Sequence, residues 1–219
     1  MHVHCFDAGS MVTLADGTQK LVSQLFVGEK VLSWKKGQVS HSKVYYVRSH
    51  FDFVKMISIE AESNEERFSI KLTEDHLLYV VKNQKEKRRK ERNQQIKKKT
   101  VPSYLVNEND EILVLDPAIG ILKKVKVISV KKFQQKQEVF SVLSTKHNLI
   151  VNGILASCYQ TNHTWEKIDS FPMRVLFEIS PSIMKSEKYQ RIADRYDDFV
   201  ELSATRLFRF FRTGIPSIS

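Results

Sequence analysis

Only two cysteines, five prolines and seven glycines occur in 219 residues. Two thiols cannot make a disulfide framework, and neither Cys5 nor Cys158 has a neighbour at metal-ligand spacing, so neither a metal nor a bound cofactor is expected. No apolar run approaches the roughly 20 residues that span a bilayer, and the first residues lack the apolar stretch of a secretory signal. If the protein is secreted, its targeting segment lies outside these residues. Hydrophobic residues at 42% fit a folded chain with one good core, or one core plus an appended segment.

Acidic residues are outnumbered 25 to 35, for a formal charge of +10. The excess is local: Lys82 to Lys99 holds ten Lys or Arg against two Glu, which leaves about +2 for the rest of the chain. So polar a run cannot bury enough surface to fold and reads as a solvated loop insertion over 82–99. The competing reading is a patch for nucleic acid, heparin or anionic lipid, and nucleic acid is ranked well behind as a partner.

Most other segments are short, rich in Val, Ile, Leu, Phe and Tyr, and punctuated by turn formers at Asp16-Gly17, Gly28, Lys36-Gly37, Asp116-Pro117 and Asn152-Gly153. This pattern predicts an all-β domain. Strands are expected at Met11–Leu14, Lys30–Trp34, Val39–Val47, Val54–Glu60, Phe68–Leu72, Leu77–Val81, Glu111–Leu115, Leu122–Val130, Val139–Leu143 and Leu149–Leu155. The chain also repeats itself. The stretch from Leu25 to Val47 has a counterpart from Leu105 to Val130, and FSIKLTEDHLLYV (Phe68–Val80) parallels FSVLSTKHNLIV (Phe140–Val151). Two matches in the same order indicate a duplicated β unit. After Cys158 the character changes: Pro172 and Ser180-Pro181 are expected to break the chain, and a helical pattern begins near Ser182. Phe199, Leu202, Leu207, Phe208, Phe210 and Phe211 recur at near-helical intervals before Gly214. Their face would dock on the β domain, line an apolar groove or lie in a membrane interface.

Three features then need one explanation: Cys5 ahead of the first strand, Thr73 and His76 at a strand end, and a second Thr/His pair in the repeat. Thr and His three apart in a turn can aim their polar atoms into one pocket, although T-x-x-H alone is a common pattern. Together with the cysteine, the blocks CFDAGSMVTLADGTQKLVSQLFVGEKVLSW, LTEDHLLYV and VNGILASCY resemble, in order, the hedgehog/intein (Hint) fold as found in the autoprocessing C-terminal domain of hedgehog proteins. The resemblance covers about residues 5–160, and SFPMR at Ser170–Arg174 extends it downstream. It implies a pseudo-twofold β fold with a helical C-terminal appendage: a residual upstream segment at 1–4, an autoprocessing domain at 5–160 and an adduct-recognition or lipid-recognition region at 161–219.

The resemblance also implies a chemistry. The Cys5 thiol would attack the carbonyl of His4 and turn the His4–Cys5 amide into a thioester. His76 would act as general acid toward the Cys5 amine, and Thr73 would polarise the amide. In hedgehog proteins an aspartate then activates a sterol hydroxyl; here that position falls on His50 or Ser49, with Asp52 the weaker candidate, and an imidazole can serve as base near pH 7. In departing there, the chain looks closer to warthog-type and groundhog-type relatives. Cys158 holds the family's second-cysteine position, either as a buried small residue or as a redox partner of Cys5, while His147 and Asn152 are expected to be structural. The family commonly has glycine where this chain has His4, and histidine there would slow the shift. The implied partners are an upstream signalling segment in cis and a sterol or other lipid alcohol as co-substrate, with water as the other acceptor and a membrane surface nearby. The implied setting is the secretory pathway, and the molecule is expected to be a monomer. With only four residues ahead of Cys5, the sequence is expected to be a piece of a longer precursor or a relic. The alternative function is a catalytically silent domain that binds lipid or membrane.

Overall fold

The computed structural model describes residues 5–63, 66–81, 99–158 and 171–180, without the side chains of 171–173. The chain divides into two compact units, Met1–Glu166 and Lys167–Ser219. Twelve strands are described in the first: β1 (Phe6–Asp7), β2 (Met11–Thr13), β3 (Gln19–Leu21), β4 (Lys30–Lys35), β5 (Gln38–Ser63), β6 (Glu66–Thr73), β7 (Leu77–Val81), β8 (Lys99–Pro102), β9 (Glu111–Asp116), β10 (Ile121–Ser144), β11 (Asn148–Val151) and β12 (Ile154–Ser157).

Two tight turns are set by local backbone chemistry. Lys36-Gly37 joins β4 to β5 and Asn152-Gly153 joins β11 to β12, with positive φ at all four residues. That is the two-residue hairpin geometry whose twist matches the flanking strands. The expected strand Leu149–Leu155 is therefore two strands around a turn.

The expected pairs Val39–Val47 with Val54–Glu60, and Leu122–Val130 with Val139–Leu143, each fuse into one strand. β5 and β10 run antiparallel along each other from Lys126↔Glu62 to Ser144↔Val44. Their polar middles still satisfy every ladder position while exposing both faces, so alternation fades without the strand ending. Three short strands, β1, β3 and β8, were not expected. Lys99, assigned to the basic loop, is the first residue of β8; the rest of that loop lies outside the described residues.

The duplication is visible as repeated backbone hydrogen bonds. Leu25 N–H donates to Val22 O as Val106 N–H does to Ser103 O. Gly28 N–H donates to Val44 O as Asn109 N–H does to Val127 O. Val44 N–H donates to Glu29 O as Val127 N–H does to Asp110 O. A side-chain bond is copied too: Glu29 accepts from Phe26 N–H as Asp110 accepts from Asn107 N–H. The first unit is thus a pseudo-twofold β fold around a core that includes Phe6, Ile59, Ile70, Leu72, Ile112, Val114, Leu149 and Ile154.

One correspondence departs from the sequence match. His76 N–H bonds Thr73 O, and His147 N–H bonds Ser144 O. The counterpart of Thr73 is therefore Ser144 and not Thr145. The two turns are the same length; the strand before the second, from Phe140 to Ser144, is one residue shorter than that from Phe68 to Thr73, and His147 sits at φ 64°, a left-handed conformation that histidine tolerates better than most residues.

In the second unit α1 (Phe171–Ile179) is described. Pro172 does not break the chain; it sits in the first turn, where its missing N–H has no helical partner to lose. The helix ends before Ser180-Pro181, since the residue ahead of proline is disfavoured in helical conformation. Phe199, Leu202, Leu207, Phe208, Phe210 and Phe211 lie outside the described residues.

Candidate functional site

β1 is two residues long, yet it fixes the site. Phe6 pairs with Phe140 of β10 on one side and Leu72 of β6 on the other. In both antiparallel ladders the next position brings Cys5 opposite Ser141 and Thr73. Cys5 is fully buried, and Thr73 grips its backbone twice: Cys5 N–H donates to Thr73 Oγ1 at 3.1 Å, and Thr73 N–H donates to Cys5 O at 3.0 Å. The Cys5 sulfur lies 3.1 Å from Ser141 Oγ and packs with Met56 and Val139, next to Val54 and Phe133.

The turn from Thr73 to His76 is held from beneath by Ser103. Its hydroxyl donates to Thr73 O and Glu74 O, and its N–H donates to His76 O. The His76 ring packs against Phe6 with centroids 4.4 Å apart and the planes tilted by 59°, and its Nε2 lies 2.8 Å from Ser157 O. A carbonyl only accepts, so Nε2 carries the hydrogen, a tautomer assigned from its partner. Nδ1 is left as a buried lone pair with no hydrogen-bond partner among the described residues.

Burial sets the protonation states. It pushes the Cys5 thiol up to about 12, against a smaller lowering from the Ser141 hydrogen bond. It takes His76 from 6.5 down to about 4, with the Ser157 carbonyl pulling weakly the other way. At neutral pH the site therefore holds a protonated thiol and a neutral imidazole. Nδ1 is the ring atom with a lone pair open to a proton, and burial weakens the hold of the ring on any proton placed there.

A Hint module profile matches residues 1–199. The chain belongs to the Hint family. This Hint domain is 28% identical over 182 residues to the Sonic hedgehog protein of Xenopus laevis, covering 82% of the chain and 39% of that relative. It is also 28% identical over 158 residues to Warthog protein 6 of Caenorhabditis elegans, covering 72% of the chain and 24% of the relative. The chain thus spans well under half the length of these curated relatives. Among solved structures, an intein from a hyperthermophile superposes with a TM-score of 0.59 at 18% identity, covering 71% of this chain and 99% of the intein. A DnaB intein from Synechocystis gives 0.56 at 13% identity, covering 71% and 98%.

Of the residues singled out in the sequence of this Hint domain, Cys5, Thr73 and His76 come together; His4, on the other side of the bond at issue, lies outside the described residues. His50 is not at a strand end. It is half-buried in the middle of β5, opposite Val139, with Nε2 3.5 Å from Ser141 Oγ. Ser49 is exposed at the alternate position, and Asp52 is exposed with its carboxylate accepting from Phe53 N–H. Cys158 is buried with its sulfur 3.4 Å from Ser144 Oγ, and neither it nor Cys5 is in a disulfide, so the redox pairing is not formed here. Asn152 bridges β2 and β6, accepting from Met11 N–H and donating to Ser69 O.

Three site residues were missed. Ser141 stood in the repeated Phe-Ser motif without a role, and the pairing of β1 with β10 is what gives it one. Ser103 opens the duplicated turn, and Ser157 contributes a carbonyl, which no side-chain pattern announces.

The neutral imidazole has a measurable consequence. A histidine whose folded value lies below its unfolded one binds its proton more readily when unfolded. The stability it contributes is complete above pH 6.5 and is lost as pH falls through 4. Denaturant unfolding at pH 7 and pH 4 is expected to show a fall in stability that His76→Gln reduces by about 3 kcal/mol. The same pH dependence in both proteins would mean that water reaches the ring.

Proposed function

We propose that this domain cleaves its own chain at the His4–Cys5 bond through a thioester on Cys5, and passes the upstream acyl segment to a lipid alcohol or to water. The observation that carries the proposal is the grip of Thr73 on both sides of the Cys5 backbone, with the unpaired Nδ1 of His76 at the other end of the turn that Thr73 opens. A hydroxyl that accepts from the Cys5 N–H, with the Thr73 N–H on the Cys5 carbonyl, holds the amide in one orientation for attack, and its conjugation is lost when the nitrogen takes a proton. Sulfur then bonds to the His4 carbonyl carbon, the C–N bond breaks, and the amine nitrogen gains a proton by way of His76. His50 serves as base for the acceptor hydroxyl in the second step.

Similarity to hedgehog and warthog proteins supports an upstream signalling segment in cis, a sterol or related lipid as acceptor, and processing in the secretory pathway. A reporter domain fused ahead of Met1 and incubated with dithiothreitol, hydroxylamine or sterol micelles tests this by intact mass. Release at the His4–Cys5 bond is the expected result, and the mass added to the reporter identifies the acceptor. A reporter still attached in hydroxylamine would overturn the proposal and leave a silent, lipid-binding domain.

Thr73→Val keeps the shape and removes the acceptor. It is expected to slow thioester formation by about 10²–10³-fold. It should also cost about 1–3 kcal/mol in stability, because the buried Cys5 N–H is left unsatisfied. Cleavage in this variant at the parent rate would remove the Thr73 contact from the mechanism.

A further inference from the structure

The site contains a fully buried thiol whose ionisation burial opposes. Its packed neighbours, Met56, Val139, Val54 and Phe133, are apolar and can take no proton. Its polar neighbour at the sulfur is Ser141 at 3.1 Å. Ser141 in turn lies 3.5 Å from Nε2 of His50, the half-buried member of the row. That second distance is at the long end of hydrogen bonding, as is common in sites that tighten only with the reacting group in place. The arrangement follows from register: Ser141 and Val139 lie two apart on one face of β10, His50 is the partner of Val139, and β1 delivers Cys5 to the other edge.

We propose that Ser141 is a catalytic proton relay between the Cys5 sulfur and His50, so that His50 acts on the thiol as well as on the acceptor. This inference rests on the autoprocessing reading and deepens it. In the first step the thiol proton passes to Ser141 Oγ as the Ser141 hydroxyl proton passes to His50 Nε2. The sulfur bonds to the His4 carbonyl carbon and the C–N bond breaks. His50 releases its proton to water, and the Cys5 amine takes one up from water through Nδ1 of His76, so no proton is consumed overall. In the second step the path runs backwards. The acceptor hydroxyl gives its proton to His50 as its oxygen bonds to the acyl carbon. The C–S bond breaks, and the sulfur recovers a proton from Ser141, which is refilled from His50.

The relay requires the two residues to act as one unit. With a reporter fused to the full chain, single-turnover release in hydroxylamine is to be compared in the parent, Ser141→Ala, Ser141→Thr, His50→Ala and the Ser141→Ala/His50→Ala double variant. Each alanine variant is expected to be about 10- to 100-fold slower, the double variant no slower than the slower single one, and Ser141→Thr within about threefold of the parent because it keeps the hydroxyl. Thermal melting of each variant separates lost relay from lost fold. Parent-rate release in Ser141→Ala, multiplicative losses in the double variant, or no rescue by threonine would each overturn the relay while leaving self-cleavage intact. A parent that never releases the reporter would overturn the autoprocessing reading itself and the relay with it.

Discussion

With Cys5 replaced by alanine, an upstream reporter is expected to stay attached through any exposure to dithiothreitol or hydroxylamine that empties the parent. The Cys5 sulfur lies against Ser141 and its N–H on Thr73, whereas the Cys158 sulfur lies against Ser144. The second sulfur does not share the contacts of the first, and without a covalent intermediate the amide is left to uncatalysed hydrolysis. His76→Ala is expected to fall between the two, about 10²–10⁴-fold slower than the parent, because the nucleophile remains while proton delivery to the amine is lost. Intact mass over time distinguishes the three proteins. Release from the alanine variant at Cys5 would show that cleavage is not a reaction of this domain.

The second large effect is on stability. Phe6 is completely buried, joins β1 to two strands at once, and supplies the surface on which the His76 ring rests. Phe6→Ala is expected to cost about 3–5 kcal/mol, from lost transfer energy and from a cavity that three paired strands cannot close. Domains hold only about 5–15 kcal/mol in total, so urea unfolding of this variant should shift far toward low denaturant. Reporter release should slow with it even where the protein stays folded, since Phe6 is the residue of β1 that pairs with both neighbouring strands and packs against His76. Phe6→Leu, which fills most of the space, should recover the larger part of both. A Phe6→Ala protein with parent stability would mean that β1 is held by its hydrogen bonds alone.

The parts of this molecule written in local chemistry were legible in its sequence. The hairpins at Lys36-Gly37 and Asn152-Gly153 follow from residues that accept positive φ, and the duplication follows from repeated apolar spacing. Cys5, Thr73 and His76 were found through ordered blocks of sequence. What escaped depends on pairing between distant segments. β1 is too short to carry a period, and it exists because two other strands leave a gap for it. The centres of β5 and β10 expose residues on both faces, Phe51 and Phe53 among them, so the alternation that marks a strand disappears where the strand continues. Ser141 shows the limit best: its type and motif were visible, but its use depends on which residue of β1 stands beside it. The match of Thr145 to Thr73 was off by one for a related reason, since the strand leading into the second turn is a residue shorter while the turn's hydrogen bonds keep their places.

The site draws Cys5 from the start of the first unit, Thr73 and His76 from its middle, and Ser141 and Ser157 from its end. A ribosome makes these pieces in that order, at roughly 5–20 residues per second. For many seconds a nascent chain would carry Cys5 with nothing to activate it, and the β5 and β10 arms cannot pair before β10 is made. Such long-range pairing is among the slower events in folding. On the proposed mechanism, premature cutting would thereby be excluded without any inhibitor: an upstream segment would have the whole of this interval to fold before the bond behind it became reactive.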